Sequence, residues 1–99
     1  MSEEDEKKAV KIQIHLPEEM AAGRYSNGAV INFSPTEFVL DFLMLQPQQP
    51  RATVISRIVM HPGHVNRLKA ALEEQVKRYE SRFGKLPEPP TMGGPITLH

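Results

Sequence analysis

Four stretches of the chain place apolar residues as strands do, and a fifth repeats them at helical spacing. Val10, Ile12, Ile14 and Leu16 alternate with Lys11, Gln13 and His15. That period of two is expected of a strand with one face on a core and the other in water. Pro17 ends it. Gly23 and Ser26-Asn27-Gly28 supply turn chemistry and predict a loop over 18–27, leading into a second strand from Ala29 to Phe33. Ser34-Pro35-Thr36 then turns the chain. The third predicted strand is Phe38 to Leu45, apolar except for Asp41, and the fourth is Ala52 to Met60, interrupted by Ser56 and Arg57. Pro47 and Pro50 lie between them and cannot donate to a ladder, so 46–51 reads as a hairpin loop.

The helical pattern is the most regular in the chain. Val65, Leu68, Leu72, Val76, Tyr79 and Phe83 recur at steps of three and four and form one apolar stripe. Pro62 suits a first helical turn, where a missing N–H is no loss. Gly84 stands where a left-handed C′ glycine would end the helix. On the outer face Glu73 precedes Lys77 and Glu74 precedes Arg78 by four residues, the better orientation for an ion pair.

Folding the third and fourth strands into a hairpin sets a register. Pairing Leu45 with Thr53 also sets Leu43 against Ile55, Asp41 against Arg57 and Val39 against Val59. The other face then pairs Met44 with Val54, Leu40 with Ile58, and Phe38 with Met60. A slip of one residue would send Asp41 and Arg57 to opposite faces, so a cross-strand ion pair that holds register is the simple reading of those two charges. Poising them for ligand or catalysis would need a base, a nucleophile or a second carboxylate beside them, and none is identifiable.

Both faces of that hairpin are apolar, and one helix covers one face; which of the two it covers is left open by the pattern. The surface formed by Val39, Leu43, Leu45, Ile55 and Val59 is therefore the candidate interface. An uncovered apolar patch marks an interaction site, and a homodimer with two-fold symmetry is the default way to bury it. Another protein or a peptide is the alternative occupant. The predicted architecture is α+β: an antiparallel sheet of about four strands followed by one C-terminal amphipathic helix, dimerised. It forms a single domain over 9–84, between a disordered acidic N-terminus, 1–8, and a flexible tail, 85–99, rich in Pro and Gly. Whether the first strand is an edge or is exchanged between chains stays open.

Composition narrows the function more than the fold. Lys and Arg number 12, as do Asp and Glu, so no overall field draws in nucleic acid or an anionic membrane. Arg67, Lys69, Lys77, Arg78 and Arg82 on the helix are interleaved with Glu73, Glu74 and Glu80, without an aromatic platform for bases. The chain has no Cys, hence no disulfide, thiolate ligand or thiol nucleophile, which fits a reducing compartment. The start Met1-Ser2-Glu3-Glu4-Asp5-Glu6 is acidic where a signal peptide would be basic and then apolar, and no apolar run approaches the roughly 20 residues of a membrane span. A cytoplasmic location is expected.

Candidate chemistry is thin. His61 and His64 flank the expected helix start and Glu37 falls opposite His61, so a His-His-Glu zinc site is conceivable, but no fourth ligand suggests itself. The simpler reading puts His61 at or beside the N-cap. Gly93-Gly94 lacks the strand, helix and Lys of a phosphate loop. Ser26, Ser34, Ser56 and Ser81 occur in no nucleophile-elbow context. No catalytic residue, cofactor or metal site is expected.

Asn32-Phe33 with Glu37-Phe38-Val39-Leu40-Asp41-Phe42, then Arg57-Ile58-Val59-Met60-His61-Pro62 with His64 and Leu68, and Glu80 with Phe83-Gly84, resemble an uncharacterised bacterial family, domain of unknown function 3467. The resemblance spans about residues 25–84. It implies a bacterial, cytoplasmic source and the same order of strands and helix, and no activity. In architecture alone the pattern is similar to SecB-type export chaperones, which also combine a short antiparallel sheet with a helix. The leading expectation is a non-enzymatic interaction or assembly module acting as a homodimer. The alternative is a chaperone-like binder of extended peptides at a strand edge or apolar groove.

Overall fold

A computed structural model describes residues 10–46 and 48–89. The sheet has three antiparallel strands in the order β1-β2-β3, with β1 Gly28–Phe33, β2 Phe38–Gln46 and β3 Arg51–Met60. One helix, α1, runs from Pro62 to Phe83. The fold is thus α+β with three strands, one fewer than expected.

The missing strand is Val10 to Leu16. These residues form no ladder, and the four apolar side chains are between 60% and 92% exposed. Alternation expresses which face of a strand would be buried, but a strand exists only where a neighbouring backbone accepts its hydrogen bonds. Pro17 is followed by a single 3₁₀ turn, Glu18–Met20, and then by Gly23 at φ 74.

Ser26-Asn27-Gly28, expected to be a turn, instead carries the β1–β2 ladder one step further. The Asn27 N–H donates to the Leu43 carbonyl at 3.1 Å. Its side chain brackets Leu45, donating through Nδ2 to the carbonyl at 3.0 Å and accepting the N–H at 2.7 Å. The Asn27 amide here substitutes for a backbone peptide group. At the other end of the hairpin, Ser34 N–H donates to the Glu37 carbonyl at 2.8 Å, and Ser34 Oγ accepts from the N–H groups of Thr36 and Glu37.

The β2–β3 register agrees with expectation from Phe38↔Met60 to Phe42↔Ser56, then departs from it. An irregularity between Phe42 and Leu43 leaves Ile55 opposite no residue, so Leu43 faces Val54, Met44 faces Thr53 and Leu45 faces Ala52. This is a β-bulge: two residues of one strand span one of the other. It moves Val54 from the face of Leu40 to the face of Leu43. Each strand of the hairpin also runs one residue beyond the expected bounds, β2 to Gln46 and β3 from Arg51.

α1 has the expected limits. His61 is the N-cap, with Nδ1 accepting from the Gly63 N–H at 2.9 Å, and Pro62 opens the first turn. Gly84 has φ 91 and ψ −172. This is a mirror-image extended conformation open essentially to glycine, in place of the left-handed helical one expected, and its N–H donates to the Glu80 carbonyl at 2.9 Å. Of the two expected ion pairs on the outer face, Glu74 and Arg78 meet at 3.2 Å. Residues 85–89 have no regular structure; the expectations for 1–8 and 90–99, and Pro47 of the hairpin loop, lie outside the described residues. Among the described residues no helix is long and apolar enough to cross a membrane.

Among the described residues Leu40 and Leu43 are the buried apolar ones, at 7% and 5% exposure, and both sit on the central strand. No residue of α1 is buried. The radius of gyration is 17.9 Å, against about 13 Å for a compact domain of 100 residues.

Candidate interaction surface

Strand alternation and the observed register divide the sheet into two faces. Ala29, Ile31 and Phe33 of β1 share one with Phe38, Leu40 and Phe42 of β2 and with Ile58 and Met60 of β3. Val30, Val39, Asp41, Leu43, Leu45, Arg57 and Val59 share the other, joined beyond the bulge by Val54.

The helix lies over the first of these without closing onto it. Its stripe of Val65, Leu68, Leu72 and Val76 faces Ile31 and Leu40 across an open groove of about 510 Å³, rimmed by Lys69, Glu73 and Lys77. Leu40 closes the floor of the groove, whereas Ile31 is 54% exposed and Leu72 57%. A helix packed directly on a sheet would bury both. At one end of this face the Phe33 and Phe38 rings meet with centroids 5.7 Å apart, and Phe33 stays exposed.

The second face carries the expected interface residues, and the chain treats them unequally. Leu43 is already buried within the chain, Val39, Leu45 and Ile55 are half-buried, and Val59 is exposed. Asp41 and Arg57 stand in the middle of the face. Arg57 donates from Nε to Asp41 Oδ1 at 2.7 Å and from Nη2 to Oδ2 at 2.9 Å, the forked geometry that a guanidinium and a carboxylate favour. Asp41 is buried beneath the arginine, which remains largely open to solvent.

That hydrogen bond, aided by the attraction of the two charges and opposed by burial, holds the Asp41 carboxyl below its ordinary value of 3.8. Arg57 is raised above its ordinary value by the same contact and stays charged throughout. A carboxyl with a depressed folded-state pKa stabilises the fold fully above its unfolded value, and the contribution is lost as pH falls through the folded value. Urea titrations across pH are therefore expected to give a constant stability gap between the native chain and Asp41→Asn above about pH 5. The gap should shrink below 3.8; a gap that is flat down to the acid transition would show that the pair does not hold the hairpin.

Arg24 was not singled out by the sequence. Its Nη1 donates to the Ile55 carbonyl at 2.7 Å, at the bulge. A bulge breaks the regular pairing of its strand, and an arginine answers a carbonyl there. Finding it from sequence would require knowing the bulge first.

The His61 and His64 rings lie with centroids 5.8 Å apart, and His61 Nδ1 is engaged as the helix cap. Among the described residues no group of three His, Cys, Asp or Glu is placed to hold a metal ion. The features gathered on the sheet are therefore apolar surface, one ion pair, a groove and two strand edges. Comparison with curated proteins and with solved structures returns no match. The family model described as protein of unknown function (DUF3467) matches residues 1–88, and the chain belongs to that family.

Proposed function

We propose that this chain is a bacterial, cytoplasmic, non-enzymatic assembly module that works as a homodimer. One observation carries the reading: two leucines are the only apolar side chains buried among the described residues, while Ile31, Phe33, Val54, Ile58, Val59 and Leu72 lie around them exposed. Small domains have little core to begin with, and this one leaves the apolar stripe of its helix and one flank of its sheet uncovered. A second copy supplies the missing cover. Val39, Leu45, Ile55 and Val59 remain interface candidates on the face away from the helix, with Leu43 beneath them.

Light scattering on the chain at micromolar concentration is expected to give twice its 11.2 kDa mass. Its unfolding midpoint should rise with protein concentration, because folding coupled to association follows mass action. A mass of one chain over that range overturns the proposal. The groove and the free edge of β1 favour a second reading, a chaperone-like binder of extended peptides. It predicts that unrelated apolar peptides compete with self-association, which a dedicated dimer would resist.

A further inference from the structure

The described chain contains one strand-like segment without a sheet and two sheet edges without a strand. In Val10–Leu16 the apolar side chains alternate with Lys11, Gln13 and His15 and stand in solvent. Such a segment needs a ladder along its backbone and an apolar surface on one side only. The β1 edge offers both. β1 pairs with β2 alone, and its Ile31 lies half open at the mouth of the groove under α1. A strand laid along β1 with its apolar side toward the helix would send alternate side chains into that groove. Its polar side would then fall beside Val30 and Asn32. The lengths suit one another: seven residues against the six of β1.

The outer edge of β3 is a poorer receiver. It carries the bulge at Ile55, whose carbonyl is occupied by Arg24, and bulges are a standard means of keeping an edge from pairing. The same contact bears on which copy is involved. Arg24 is held at β3, and Ser26 and Asn27 at the end of β2. The Arg24 side chain thus reaches past β2 to β3, on the side of β1 away from its free edge. To reach its own β1 edge the segment would have to turn back toward it within residues 17–23, which hold the 3₁₀ turn at Glu18–Met20. A second copy requires no reversal.

We infer that residues 10–16 of one copy pair along β1 of a second copy as its fourth strand, and insert Ile12, Ile14 and Leu16 into the groove between sheet and helix. Two-fold symmetry makes the exchange reciprocal. The inference rests on the homodimer reading and names the segment that makes the dimer.

The chain lacks cysteine, so introduced thiols are the only ones present. His15→Cys and Asn32→Cys chains, mixed and treated with a short bismaleimide, are expected to give a covalent heterodimer in high yield, against little product for His15→Cys mixed with Thr53→Cys on β3. A double His15→Cys, Asn32→Cys chain that links only within itself overturns the exchange, as does preferential capture by Thr53→Cys. In parallel, Ile12→Asp with Ile14→Asp is expected to halve the mass by light scattering and leave the far-UV circular dichroism of the sheet and helix in place, since both positions are solvent-exposed in the single chain. If the native chain is dimeric and this variant remains so, the strand exchange fails and the homodimer stands. If the native chain is monomeric, both fail together.

Discussion

Leu40→Ala is expected to cost about 2–5 kcal/mol of folding stability, the range seen when a buried leucine is truncated in a packed core. Leu40 sits on the central strand, paired with Ile31 on one side and Ile58 on the other, and it floors the groove under α1. Among the described residues one other apolar side chain, Leu43, is as well buried, so no neighbouring cluster there stands ready to absorb the loss. Within that range the state of the groove decides the size. If the groove stays open to water, solvent fills the space and the cost falls near the lower bound; if a strand from a second copy seals it, the cavity is dry and the cost rises. Chemical denaturation of both forms measures the difference, and a change below about 1 kcal/mol, the level of an ordinary surface substitution, would show that Leu40 is not core.

Leu72→Asp separates the isolated chain from the assembled one more sharply still. In the single chain Leu72 is 57% exposed on α1, and substitutions at such positions usually stay within about 0.5 kcal/mol. With the groove filled by apolar side chains from another copy, the new carboxylate would be desolvated without a partner, at a cost of about 2 kcal/mol or more. Each 1.4 kcal/mol is about tenfold in affinity, so self-association should weaken by well over an order of magnitude, while helix content at low concentration is unchanged. Sedimentation across a dilution series reads the first effect, and circular dichroism the second. Association indifferent to Leu72→Asp would mean that the groove is not where the copies meet.

Much of the architecture could be read from spacing alone, for identifiable reasons. The helix announces itself because its stripe spans six residues at steps of three and four and both ends carry stop signals, Pro62 and Gly84. The half of the hairpin nearest the helix is also legible, because Asp41 and Arg57 can meet in one register and no adjacent one. Beyond them nothing charged marks the pairing. Val54 and Ile55 are interchangeable as apolar strand formers, so the bulge that moves Val54 to the other face leaves no trace in the pattern. Val10 to Leu16 shows the limit of periodicity most directly: alternation records an amphipathic strand, but the neighbour that completes it is a property of the tertiary or quaternary arrangement. The groove was equally hidden, since a stripe on a helix says that it will face something and leaves unsaid how closely.

The bulge has a consequence for how the chain can change over generations. β3 runs for ten residues against nine in β2, so its middle holds one residue that pairs with nothing. Losing a single codon from an ordinary strand turns everything beyond it inside out. Losing the codon for Ile55 would instead let Val54 and Ser56 close up opposite Leu43 and Phe42, with every other side chain on its present side. The hairpin thus contains a site where a length polymorphism can pass without rewriting its interior.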